Sequence, residues 1–282
     1  MLKEVNVSKF KEFLRHSYIY IILALTYIPL VFAVIFSFNK PSDKGYLSTK
    51  WNSFDTSSWT DFFKEGRDVA LINSIIIAFC TSILVISISL LTVFALWRQK
   101  NRTYERATKA VNNIPVINPD NITAIGLVLV FTSFHLTLSF MDEGLLRGIV
   151  GHTVMALPYG VTLMYPRSEK FERSQYEASQ DLGYSKLQSW FKTYLVYMMP
   201  TIIFVGLVAT FLSFDDFIIL KTLTNTSTLG TKLYEGNFRG WGLVVGSTIL
   251  FATLIGNAIY VAVKVKRVKL KNVSAQKGKY EQ

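Results

Sequence analysis

The strongest constraint on this chain is the spacing of its charges. Six stretches of 17 to 29 residues carry almost none: 17–38, 69–97, 121–140, 149–165, 193–214 and 241–265. Each can cross a hydrocarbon core as an α-helix, which takes roughly 20 apolar residues. Soluble cores have no need of helices this long and this free of charge. The pattern therefore predicts an all-α integral membrane protein with six transmembrane helices. Hydrophobic residues make up 50% of the chain, in keeping with that class. The first stretch is longer than a signal-peptide core and no small-residue cleavage site follows it, so it is expected to remain as an anchor. Cys80 stands alone inside the second stretch, which leaves no disulfide framework and no thiol metal site.

Lysine and arginine set the expected orientation. Lys3, Lys9, Lys11 and Arg15 precede the first stretch, and Arg98, Lys100, Arg102, Arg106 and Lys109 follow the second. Lys264, Lys266, Arg267, Lys269, Lys271, Lys277 and Lys279 gather at the end of the chain. The connection 39–68 balances five basic against five acidic residues. Six crossings with both termini cytoplasmic fit this distribution, in a plasma (inner) membrane, and place the connection 167–192 in the cytoplasm. Much of the net charge of +11 follows from the same bias. Lysines directly beside membrane spans suit lipid headgroups rather than nucleic acid.

The connection 167–192 is the compact polar element of the chain. Residues 169–182 contain neither glycine nor proline, and Gly183 then permits a turn that a Cβ would resist. Ser185 is placed to cap a second short helix through Lys186, Leu187, Trp190 and Phe191. Glu177 and Asp181 are four apart and share a face, while Ala178 and Ser179 are small enough for close approach by another protein. Leu182, Leu187 and Trp190 offer apolar contact. The predicted result is a docking knob with an acidic side.

At this point the chain resembles the inner-membrane permease subunits of binding-protein-dependent ABC importers. Those proteins carry a cytoplasmic signature of Glu-Ala-Ala, three residues, Gly, nine residues, then Ile-x-Leu-Pro. Glu177, Ala178, Gly183 and Leu195 match it. Ser179 departs from it but is still small, and Thr193 and Val196 stand where the family usually has isoleucine and proline. Pro200 resembles a second proline common in these proteins. The resemblance covers about 71–265, and the first stretch looks like the extra N-terminal helix of the same subfamily. Within the family the chain is most similar to C-type spermidine/putrescine permeases, through Pro-Asp-Asn-Ile at 119–122 and Leu-Ser-Phe-Asp-Asp at 212–216.

The resemblance implies a type I ABC importer permease fold and a mechanism. The helix–Gly–helix of 176–190 would be a coupling helix seated in a groove of a cytoplasmic ABC ATPase dimer. Glu177 would pair with a basic residue of that ATPase, Ala178 and Ser179 would allow close packing, and Gly183 would set the angle between the short helices. Asp181 and Leu182 complete the docking surface. ATP would bind the ATPase, and this chain would hold no cofactor. Further expected partners are a second, similar permease, an extracytoplasmic substrate-binding protein and membrane lipid. The expected organisation is a tail, first span and outer loop over 1–68, a five-helix core over 69–265 containing the coupling loop, and a basic tail over 266–282.

A polyamine is a flexible polycation whose path should offer carboxylates and aromatic faces. Asp215 and Asp216, expected at the outer end of the fifth span, and Tyr159 beside Pro158 are the candidates. Adjacent aspartates in a helix point about 100° apart, so one of the two is expected to face the pathway. Asp120 after Pro119 is expected at a cytoplasmic helix start, where a carboxylate caps the helix. His135 and His152, in or beside spans, are placed to line a proton or ligand path, but they match no motif, and packing or bonding between helices is the favoured expectation. No phosphate-binding loop, paired-histidine zinc motif or nucleophile elbow occurs, so the chain is not expected to be an enzyme. A permease for another small solute such as a metal cation, or a non-transporting membrane scaffold, is the alternative.

Overall fold

The computed structural model describes residues 2–99, 101–135, 144–214, 216–235 and 238–280. In chain order the helices are α1 (Leu2–Ser37), α2 (Ser57–Thr60), α3 (Arg67–Arg98), α4 (Arg102–Ile117), α5 (Asp120–His135) and α6 (Leu145–Glu169). They continue with α7 (Arg173–Asp181), α8 (Lys186–Ser189), a π-turn (Trp190–Tyr194), α9 (Leu195–Phe214), α10 (Ile218–Leu223), α11 (Leu229–Leu233) and α12 (Gly240–Tyr280). Among the described residues there is no strand, only the isolated bridges Asn39–Phe54 and Tyr46–Arg239.

The chain forms two compact units, Met1–Phe63 with Gly236–Gln282, and Lys64–Glu235. In the first, α1 packs along α12 and an aromatic stack closes the end of α1. Phe38 lies between Phe54 at 5.6 Å and Trp59 at 5.2 Å, and Trp59 Nε1 donates to Ser37 Oγ. Asn39 fastens the following loop, donating to the Lys50 carbonyl at 2.8 Å and accepting from the Asn52 amide.

In the second unit α3 is the central post, packed against α6 and α9. It is apolar on every side, but its buried face is built from small residues, including Ala70, Ser74, Ala78, Ser82 and Ser89. Small residues let helix backbones approach closely where burial from water supplies no driving force. Hydroxyls then bond across the seams. Ser82 Oγ donates to the Gly206 carbonyl of α9 at 3.1 Å, and Ser74 Oγ accepts the Leu229 amide that opens α11. Opposite α3, a Cβ at Gly160 of α6 would collide with Ser89 Oγ and stand 2.8 Å from Val85 Cγ1.

By length and composition four helical segments can cross a membrane: Ser17–Ser37, Arg67–Arg98, Lys186–Phe214 and Gly240–Lys266. The pair α4 and α5, bent by 106° at its break, brings the number to five. The expected span 149–165 falls within α6, which is long enough but more polar, carrying His152, Thr153, Tyr159 and Thr162. Packed between α3, α4, α5, α9 and α10, α6 buries His152 and Thr153 and leaves Tyr159 and Thr162 exposed. Of the expected span 121–140, residues 136–140 lie outside the described residues.

Between the second and third charge-free stretches, residues 102–117 form α4, which lies antiparallel along α6. Asn101 caps it by accepting from the Thr103 and Tyr104 amides. Lys109 Nζ sits 3.7 Å from the Tyr165 ring centre, Tyr165 donates to Glu105 at 2.7 Å, and Asn112 donates to the Pro158 carbonyl and Thr162. These contacts run up the helix, so its far end, with Pro119, reaches well along α6.

The α3–α6 seam yields a prediction. Gly160→Ala forces Ser89 and Val85 to shift and should lower stability by about 1–3 kcal/mol. Gly126→Ala, where a Cβ meets nothing within 4 Å, should be neutral or slightly stabilising. Thermal unfolding of the two variants in detergent tests this, and equal melting temperatures would refute the close seam.

Candidate coupling knob and translocation cleft

The helix–Gly–helix expected from sequence is present as α7, Gly183 and α8. Its turn is a Schellman motif. Gly183 adopts φ +88°, its amide donates to the Gln180 carbonyl at 2.8 Å, and the Tyr184 amide donates to the Ser179 carbonyl at 3.2 Å. Ser185 caps α8 in a reciprocal box, its hydroxyl accepting the Gln188 amide and its own amide donating to Gln188 Oε1 at 2.9 Å. Tyr176 joins the two helices by donating to the Lys186 carbonyl at 2.9 Å.

Placed on this frame, Glu177, Ala178, Asp181, Leu182 and Gly183 are all exposed. Glu177 and Asp181 share one face, and the protruding apolar tips are Leu182, 79% exposed, and Leu187, 67% exposed. Ser179 is placed differently: it is 4% exposed and donates to the Tyr176 carbonyl. Its small side chain serves packing inside this chain. Trp190 also turns inward, onto Phe94 and Tyr194.

What sequence reasoning missed is the seat beneath the knob. Tyr194, with no exposed surface, lies 4.8 Å from Phe94, 5.3 Å from Phe171 and 5.9 Å from Trp97. Tyr176 of α7 reaches Trp97 at 5.7 Å, and Trp97 Nε1 donates to the Phe171 carbonyl. The Tyr194 and Ser168 hydroxyls are bonded to each other at 2.6 Å, and Ser168 also donates to the Val93 carbonyl of α3. Arg167 lies over the Tyr197 ring and donates to the Tyr197 carbonyl. The aromatic residues were visible in the sequence, but nothing there showed that they converge.

The second site lies where α4 gives way to α5. Asp120, the first residue of α5 as the sequence led one to expect, also lines a cleft with Asp216, His152, Tyr159 and Ser213. The deep part measures about 90 Å³, and a wider depression of about 600 Å³ beside it shares Asp120, Leu212 and Asp216. Asp216 Oδ2 accepts the Ile219 amide at 3.0 Å and the Leu220 amide at 3.3 Å, which orients its carboxylate at the start of α10. His152 Nε2 stands 3.5 Å from that oxygen. Tyr159, 42% exposed, offers part of its ring to the cleft. Asp215, and the side chain of His135, lie outside the described residues. From the sequence, capping was favoured for Asp120 and packing for His152 over a place on a ligand path, and only the fold puts both in one cleft with Asp216. Among the described residues no group of three or more His, Cys, Asp or Glu side chains is arranged for a metal ion.

No protein-family profile matches the chain. Among known proteins it is 32% identical over 273 residues to the spermidine/putrescine transport system permease protein PotC homolog of Mycoplasma genitalium, covering 94% of this chain and 95% of that one. To PotC of Haemophilus influenzae it is 28% identical over 216 residues, covering 76% and 80% of the two chains. To the putrescine transport system permease protein PotI of Escherichia coli it is 27% identical over 195 residues, 68% of each. Among solved structures it resembles the crystal structure of a bacterial ABC transporter involved in the import of the acidic polysaccharide alginate. The TM-score is 0.62 at 14% identity, over 92% of this chain and 96% of that one, a likeness of fold alone. The helical architecture expected from the sequence is thus that of an ABC transporter chain, and the sequence relationship is more specific: this chain belongs to the PotC-type permease proteins of ABC transport systems.

Proposed function

We propose that this chain forms half of a polyamine pathway through the inner membrane and is driven by a separate cytoplasmic ATPase. The observation that carries the substrate reading is the cleft, where Asp120 and Asp216 meet beside the Tyr159 ring at the break between α4 and α5. Carboxylates in an apolar bundle are costly unless they serve a cation, and an aromatic face adds cation–π attraction. The narrow part admits the end of an alkylammonium chain, and the wider depression beside it leaves room for the remainder. The names of the PotC and PotI relatives agree with this chemistry.

In this reading α6 completes six crossings, both termini are cytoplasmic, and α7 with α8 projects into the cytoplasm. The exposed face of Glu177, Ala178, Asp181, Leu182 and Gly183 docks on the ATPase, Glu177 against a basic residue. Ser179 supports that face from below. ATP binds the ATPase, not this chain. A second, similar permease completes the pathway and an extracytoplasmic binding protein delivers the solute. Closure of the ATPase would displace the knob, and the aromatic seat would pass that displacement to α3 and α9, a switch between two packings.

Two outcomes test the reading. Gly183→Trp should leave membrane insertion intact but separate ATP hydrolysis from transport. Its Cβ meets no atom within 4 Å, so the effects are a left-handed backbone strained by about 1–2 kcal/mol and an indole on the docking face. Gly183→Asn, which tolerates that conformation better, should retain more coupling, and normal accumulation by the tryptophan variant would refute the docking role. Asp120→Asn should reduce spermidine uptake by the intact complex about tenfold or more, the worth of one charge-assisted hydrogen bond. Unchanged uptake would remove Asp120 from the pathway.

A further inference from the structure

The cleft contains two buried polar atoms with nothing to bond. His152 Nε2 and Ser213 Oγ make no hydrogen bond among the described residues, although their residues are only 3% and 2% exposed. Both residues line the cleft. Buried polar groups are almost always paired, and one left without a partner destabilises the fold unless something else supplies it. Asp216 does not do so for His152: at 3.5 Å its Oδ2 is too far for a good N–H···O bond, and it already accepts two backbone amides.

The fold holds the imidazole in this position. Residue 151, just before it on α6, is glycine, and a Cβ there would collide with Leu223 of α10. That close approach brings α6 against the helix whose start Asp216 caps. The mismatch at His152 is therefore built by the packing of two helices rather than by a mobile side chain.

The kind of partner missing identifies the ligand. An imidazole nitrogen in its unprotonated tautomer and a hydroxyl oxygen both accept, and the Asp216 carboxylate beside them carries negative charge. A primary ammonium offers three donors from one atom and a positive charge for the carboxylate. Water offers no charge, and a quaternary ammonium offers no N–H. We propose that His152 Nε2 is the neutral acceptor for a terminal ammonium of the transported polyamine, bound beside Asp216 with Ser213 Oγ as a second acceptor. His152 is then a specificity-determining residue that selects unsubstituted amine ends. The proposal rests on the polyamine reading above.

The test uses the whole co-purified complex in liposomes, with uptake of labelled spermidine normalised to assembled complex. Wild-type uptake tests the polyamine reading itself, and its absence would overturn that reading. Given wild-type uptake, His152→Leu should transport at least tenfold more slowly. His152→Gln, which puts a neutral acceptor oxygen near the position of Nε2, should stay within about threefold of wild type. If both variants fall equally, the imidazole serves as a charged partner or as packing, and the proposal fails. If neither falls, His152 does not touch the solute, and the proposal fails again. Should His152→Leu not assemble, His152→Met replaces it, with similar length and only a weak acceptor.

Discussion

The burial of Tyr194 is the interaction on which the unit Lys64–Glu235 depends. Its ring closes a cluster that draws on α3 through Phe94 and Trp97, on the segment after α6 through Phe171, and on α7 through Tyr176. Its hydroxyl bonds to Ser168, which in turn bonds to α3. Aromatic contacts of this kind each add about 0.5–1.5 kcal/mol beyond their area, and here they share members, so the cluster behaves as one body. Without it the short helices α7 and α8 would have no fixed direction. With it, α7 and α8 are packed onto α3 and the start of α9 through Tyr176, Trp190 and Tyr194.

The same unit shows why a polar cleft is tolerated among apolar helices. Glycines, serines and alanines bring α3, α6 and α9 together, and the hydroxyls of Ser82 and Ser168 bond to carbonyls across the seams. Of the polar residues of α6, His152 and Thr153 are buried in these seams. The break between α4 and α5, made by Pro119 and a 106° bend, then brings Asp120 to His152 and Asp216. The irregular backbone at this break lines a cavity, the setting in which non-helical backbone is tolerated among packed apolar helices.

Much of this was legible in one sequence. Charge-free stretches marked the long helices because the bilayer sets their length. Gly183 and Ser185 marked the knob because left-handed turns and capping boxes have narrow residue preferences. The rest depended on contacts between distant parts of the chain. Nothing in the local pattern says that α4 runs up α6, so the helix start at Asp120 was legible but not its place beside Asp216 in one cleft. Nothing says that Ser179 faces inward while Ala178 faces out, since both are small and one residue apart. The π-turn at 190–194 was equally hidden, arising where α8 must join α9 while Trp190 and Tyr194 both turn to the aromatic cluster.

That π-turn makes the length of the segment as consequential as its composition. From Ser185 onward α8, the π-turn and α9 follow one another without a flexible link, so the knob and the long helix keep a fixed rotational phase. Each residue of a helix advances the chain by about 100°. Deleting or adding a single residue in this stretch would turn the acidic face around the axis of α9 while leaving every side chain chemically intact. If the knob docks as proposed, a surface phased in this way would meet its partner at one angle, and changes of spacing would disturb it more than changes of side chain.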